Sequence, residues 1–284
     1  MRRYAGPDDL RAMQGLTQRI WSHASNTHIG DQAWQRYQHN GREWPTALWT
    51  ADGDVLAWGW IWLPGHLELL VDPVWPRLAG EVLDWFATLA TAATTTVYVT
   101  DAQVHVVEAL TRHGYLPDDD AEYLTYLSRQ LADLPEPVLP SGFTARPISG
   151  PSDLRRRLAV HRAVWPRSHV TEDSYRVVMA AWPYRADLDW VVEGPDGDFV
   201  ASCLIWLDEH NRVGELEPVG TDPRCRRMGL GRAVCLAAMH ALRRAGAAEA
   251  VVYPVVGGGA DPGAVRLYRD MDFQPYARTR TYTR

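Results

Sequence analysis

The chain contains no lysine: all 29 of its basic residues are arginine, a trait of coding composition with no bearing on function. Cysteine is scarce. Cys203, Cys225 and Cys235 give no disulfide framework and no metal-ligand spacing, so no metal is expected and a reducing, cytoplasmic setting fits best. No apolar run approaches ~18 residues, which argues against a membrane-spanning helix. The opening Met-Arg-Arg-Tyr-Ala-Gly-Pro-Asp lacks the apolar core of a signal peptide. Positive charge is also short, the net being −6, which argues against a general nucleic-acid binder. The deficit is uneven. Residues 1–140 hold 9 arginines against 18 acidic residues, and residues 141–284 hold 20 against 17.

That second half carries the most informative stretch of the chain, Asp222-Pro223-Arg224-Cys225-Arg226-Arg227-Met228-Gly229-Leu230-Gly231. It follows an extended segment, Val213 to Thr221, and opens a helical pattern from Arg232 to Arg244. A strand, an Arg-x-x-Gly-x-Gly turn and a helix in that order build a phosphate cradle. Glycines let backbone approach a ligand closely, and the first helical turn offers unpaired N–H groups and a positive dipole end. Arg226, Arg227 and Arg232 add charge for pyrophosphate oxygens. The motif alone is equally compatible with an ordinary turn carrying solvated arginines.

Context comes from an internal repeat. At an offset of 144 residues, Gly6-Pro7-Asp8-Asp9-Leu10-Arg11 faces Gly150-Pro151-Ser152-Asp153-Leu154-Arg155. Trp21 faces Trp165, Asp52-Gly53-Asp54 faces Asp196-Gly197-Asp198, and Ile61-Trp62-Leu63 faces Ile205-Trp206-Leu207. Asp72-Pro73 then faces Asp222-Pro223, the offset having grown to 150. Each unit reads as strand, two helical stretches, a hairpin over Asp-Gly, a strand ending in Asp-Pro, a long helix, an apolar strand, a helix and a closing strand. The proline-rich Leu134 to Gly142 blocks both helix and ladder. These features predict domains at residues 1–135 and 143–284 joined by a linker at 136–142.

This order, with Arg-x-x-Gly-x-Gly after the fourth strand, resembles the GCN5-related N-acetyltransferases (GNAT). The resemblance covers both halves, a tandem arrangement also seen in mycothiol synthase. It implies an α/β (α+β) fold of two tandem GNAT-like domains, each a mixed, mostly antiparallel sheet flanked by helices. It further implies acetyl-CoA as co-substrate, its pyrophosphate on Arg226, Arg227, Met228, Gly229, Leu230, Gly231 and Arg232. The pantetheine arm would lie along Val219, Gly220 and Thr221, where the fourth strand parts from the fifth. Asp261-x-x-Ala264-x-x-Leu267-Tyr268, followed by Asp272-Phe273, resembles the family's second motif. Asp261 replaces the usual Asn but can still cap a helix, and Asp272 replaces a Gly yet tolerates positive φ.

By the same resemblance, Glu217 is the expected general base, acting through water, and Tyr268 the expected acid for the leaving thiolate. A free alkylamine, with a pKa of about 10, must lose a proton before it attacks. Glu215 shares the strand face of Glu217 and reads more simply as a solvent-facing carboxylate. The 13 tryptophans read mainly as core and inter-domain packing, although Trp58, Trp60 and Trp62 alternate on one strand face and are candidates to line a pocket between the domains. His23, His28 and His39 read as surface or helix-end residues.

Counting from Asp-Pro, the first unit has Pro76, Ala79 and Glu81 where the second has Arg226, Gly229 and Gly231, and Thr111 where the second has Tyr268. It is expected to bind no acetyl-CoA and to wall the acceptor site instead. The function expected is N-acetylation of a small-molecule amine at a single C-terminal site, with no nucleic-acid or membrane partner. The chain would act as a monomer of two pseudo-symmetric domains or as a homodimer. A non-catalytic acyl-CoA-binding module, a longer acyl donor and a hydroxyl acceptor stay open.

Overall fold

A computed structural model describes residues 1–38 and 44–284. His39 lies outside the described residues. The first half runs β1 (Arg2–Arg3), α1 (Pro7–Ile20), α2 (Ile29–Tyr37), β2 (Thr46–Ala51), β3 (Asp54–Trp62), β4 (His66–Val71), α3 (Leu78–Leu89), β5 (Thr96–Thr100), α4 (Val104–Arg112), β6 (Leu116–Asp118) and β7 (Tyr123–Gln130). The second runs β8 (Thr144–Pro147), α5 (Leu154–Val164), α6 (Glu172–Ala180), β9 (Asp189–Glu193), β10 (Phe199–Asp208), β11 (Val213–Thr221), α7 (Leu230–Arg244), β12 (Glu249–Val252), β13 (Val255–Val256), α8 (Pro262–Arg269) and β14 (Gln274–Thr283).

The repeat holds down to individual side chains. Pro7 opens α1, its φ already helical, with Asp8 and Asp9 at the positive end of the dipole. Asp9 accepts from Ala5 N and pairs with Arg2 at 2.6 Å. In the second half, Asp153 accepts from Ser149 N at 2.8 Å and pairs with Arg146 at 2.7 Å, the same triangle 144 residues on. The apolar stretch Ala250 to Val256 forms two strands, interrupted at Tyr253-Pro254 because proline cannot donate to a ladder.

The sheets do not respect the linker. All the principal strands join in one order, β1-β2-β3-β4-β5-β14-β7-β12-β11-β10-β9-β8. The last strand of the first half, β7, pairs antiparallel with β12 of the second, Leu127 to Gln130 against Val252 to Glu249. The end of β14, Thr279 to Thr283, lies in turn against β5 and β6 of the first half. Each half therefore closes its sheet with the other's final strand. Leu127 and Leu131 sit in the core beneath α7, and Tyr282 sits in the core beneath α3 and α4. Strand pairing crosses the proline-rich stretch, so neither of the expected units, residues 1–135 and 143–284, is a self-contained sheet.

A further crossing contact places α2 of the first half against β10 and β11 of the second. Gly30 makes it possible: a Cβ there would lie 2.1 Å from the Trp206 Cβ. The α2 helix thereby becomes a wall over the second unit's fourth strand.

Candidate active site

At β11 the chain does two things at once. It pairs in parallel with β12 only from Val213 to Glu215, and beyond that the two strands part. It also bulges: Cys203 faces Val219 while Ile205 faces Leu216, so Glu217 and Pro218 together oppose Leu204. Trp206 Nε1 donates to the Glu217 carbonyl at 2.7 Å and fixes the bulge. A cleft of about 760 Å³ opens at the split, lined among others by Glu215, Glu217, Val219, Tyr253, Asp261 and Tyr268. Gly220 lets the end of α5 approach, since a Cβ there would stand 2.7 Å from Val164.

Past Thr221, Asp222 caps a short turn by accepting from Arg224 N at 2.9 Å. Arg227 then takes φ 64° and Gly229 φ 80°, left-handed conformations that turn the chain into α7. The N–H groups of residues 226 to 232 have no hydrogen-bond partner among the described residues. That is the open donor row a phosphate requires. Gly231 has to be small, because a Cβ would meet Thr221 Oγ1 at 2.9 Å. Arg226, Arg227 and Met228 are exposed, Arg232 is half-buried, and Leu230 anchors the turn in the core. Asp261 caps α8 through Gly263 N at 2.8 Å and pairs with Arg226 at 3.4 Å, tying the cradle to the helix that bears Tyr268. Asp272 takes φ 63°, the positive value expected of the position where a Gly is usual.

The first unit is built otherwise at the matching turn. Leu78, Ala79 and Gly80 donate their N–H groups to the carbonyls of Trp75, Pro76 and Arg77 at 3.0, 3.2 and 3.2 Å. Those donors are used up, and Glu81 stands in the first turn of α3.

Tyr268 is buried against Phe273, with ring centroids 5.6 Å apart. Burial first, then the neighbouring Cys235, Cys203 and Glu217, hold its phenol well above the usual range, so it stays a proton donor. The Glu217 carboxyl is half-buried and accepts from Gln35 Nε2 of α2 at 3.3 Å. The Asp31 carboxyl lies beside it. Burial, and then the nearness of Asp31 and Glu215, lift Glu217 well above the ordinary carboxylate range.

Two expectations change. Glu215 is not solvent-facing but buried, because α2 covers it: it accepts from Asp31 N at 3.0 Å and meets His28 Nδ1 at 3.2 Å. His28 does stand at a helix end, as the cap of α2, yet it is fully buried. Burial pushes His28 down to about 4 and Glu215 upward, so their contact is not an ion pair, and His28 Nδ1 accepts instead from Gly30 N at 3.1 Å. His23 is at the surface, 3.0 Å from Glu249. Of the three aligned tryptophans, Trp60 and Trp62 stack near Trp44, while Trp58 reaches a smaller cavity beside the cleft.

Sequence reasoning missed Asp31, His28 and Glu68. Glu68 had a signal, a lone carboxylate in the apolar run Leu67 to Val71. Asp31 had none, because its position over β11 depends on contacts between the two halves.

A model described as the acetyltransferase (GNAT) family matches residues 157–273. A mycothiol acetyltransferase of Segniliparus rotundus is 30% identical over 188 residues, covering 61% of this chain and 67% of that protein. The chain belongs to the acetyltransferase (GNAT) family. Another relative, a mycothiol acetyltransferase of Nocardia farcinica, is 32% identical over 55% of this chain and 54% of its own length. The chain thus spans about half the length of that relative. A GCN5-related N-acetyltransferase from Sphaerobacter thermophilus has the same fold across 99% of this chain and 94% of its own, with TM-score 0.64 at 20% identity. So does a tandem GNAT protein from the clavulanic acid biosynthesis pathway, with TM-score 0.64 at 13% identity over 99% and 97%. The tandem GNAT fold expected from the repeat, and an acetyl-transferring enzyme at the level of the family, both hold.

Proposed function

We propose that this GNAT protein transfers the acetyl group of acetyl-CoA to the amine of a small molecule, at one site in its second half. The observation that carries the proposal is the open N–H row at residues 226 to 232, set beside a strand split flanked by Glu217 and Tyr268. Arg226, Arg227, Met228, Gly229, Leu230, Gly231 and Arg232 would take the pyrophosphate. Val219, Gly220 and Thr221 would run beside the pantetheine arm, with Asp261 holding Arg226 in place.

The amine nitrogen attacks the thioester carbon to form the C–N bond, and the C–S bond then breaks. Glu217, through water, takes the ammonium proton before the attack, Tyr268 gives its proton to the departing sulfur, and the nitrogen proton shed as the amide forms returns to the phenolate. Burial and the neighbouring Asp31 and Glu215 raise the proton affinity of Glu217, which favours transfer from nitrogen once the carboxyl is ionised. The first unit, its donors consumed and Glu81 in the way, would bind no acetyl-CoA and would wall the acceptor site through α2.

Thiol release and mass spectrometry with acetyl-CoA and a panel of amines test the reading. Acetylated amine should form, and Tyr268→Phe should lower kcat by about 10²-fold or more while leaving acetyl-CoA affinity little changed. Equal turnover in Tyr268→Phe and wild type would remove the proton donor from the scheme. Absence of product with every amine would refute the reading.

A further inference from the structure

The scheme above uses neither the second cavity nor Glu68. The first unit has a split of its own, since β4 and β5 pair only at His66–Leu67 with Thr96–Val97. Glu68 and Tyr98, the next residue on each strand, line a cavity of about 160 Å³. It is the counterpart of the split beyond Glu215 and Val251 in the second unit. The two spaces adjoin, since Asn26, Asp31 and Gln35 line both.

The cavity's chemistry is one-sided. Asp31, Glu68 and Glu122 line it, and none of its lining residues among those described is basic. Trp58, Tyr98, Tyr123 and Tyr126 supply aromatic surface, which attracts cations through its π face. A carboxylate taken out of water needs a positive partner, and among the described residues the lining offers none to Glu68. Trp58 forms part of the wall, is 1% exposed, and its indole N–H has no hydrogen-bond partner among the described residues. A buried donor left unpaired is costly, so it calls for an oxygen from a ligand. Phosphate is the wrong occupant, since the N–H groups of Leu78 to Gly80 are already spent.

We propose that the vestigial split of the first unit holds a second ammonium group of the acceptor, between Glu68, Asp31 and the aromatic side chains, with an adjoining oxygen of the acceptor on the Trp58 N–H. The acceptor class is then a small molecule with at least two amines, one acetylated beside Glu217 and one retained beside Glu68. This inference rests on the acetyl-transfer reading above.

The probes are 2-deoxystreptamine and spermidine, each set against a single-amine counterpart, cyclohexylamine and n-butylamine. At least one of the two should exceed its counterpart by about 10- to 100-fold in kcat/KM, the effect of one buried charge contact. Glu68→Gln should remove most of that preference, read as the ratio within each pair. A ratio near one in the wild type, or a preference that Glu68→Gln leaves intact, overturns the proposal. Calorimetry with the same amines separates the two readings. Glu68-dependent binding without thiol release leaves the subsite standing and refutes acetyl transfer to that amine. Thiol release indifferent to Glu68 does the reverse.

Discussion

Glu68 shows what burial does to a carboxyl whose cavity has no basic lining residue among those described. Loss of water first, then the charge of Asp31, push it from an ordinary 4.5 to about 8. A carboxyl that holds its proton more tightly when folded stabilises the fold at low pH. Its contribution is lost as pH rises from the unfolded value through the folded one, here from 4.5 to about 8. Glu68→Gln cannot ionise, so its melting temperature should gain on the wild type as pH rises across that window. Thermal melts over the range check this, and a constant gap contradicts it. At this scale the sequence was readable where a motif fixes a residue relative to a local turn: Glu217, Tyr268, Gly229 and the Asp261 cap are of this kind. Glu215, His28 and Asp31 were not readable. Their burial comes from a helix more than 180 positions away in sequence from the strand it covers, as the Asp31–Glu215 contact shows.

Among elements, α2 decides most. It lies on β10 and β11 because residue 30 has no side chain, and it brings Asp31 and Gln35 to the second unit's base. Gly30→Ala gains up to ~1 kcal/mol of helix propensity. The overlap with Trp206 should cost more, about 1–3 kcal/mol of stability. Urea denaturation reads the loss, and kcat/KM for the amine should fall while acetyl-CoA affinity holds. Stability at or above wild type would mean that α2 does not depend on this contact. The hairpins and long helices were legible because their periods are local. The exchange of closing strands was not, because alternation tells which face of a strand is buried and not which neighbour it pairs with. β14 runs straight from Gln274 to Thr283 where a hairpin would turn back.

For the whole molecule, that exchange makes the halves interdependent. Each core lacks a strand when its partner is removed: Tyr282 leaves the first, Leu127 and Leu131 the second. Scanning calorimetry should find one cooperative transition for the full chain, and residues 1–135 alone should show none. A cooperative transition in that fragment would contradict the interlocked architecture. The asymmetry of charge has its place at this scale too: the acidic half supplies Asp31 and Glu68 to the cation side, and the arginine-rich half supplies the anion cradle. One duplicated unit thus has its two copies arranged around a single proposed reaction. Titration calorimetry of acetyl-CoA into the full chain tests that most directly. The account predicts one site per chain, lost in Gly231→Val, whose side chain would crowd Thr221 and the donor row; two sites per chain, or unaltered binding in Gly231→Val, would contradict it.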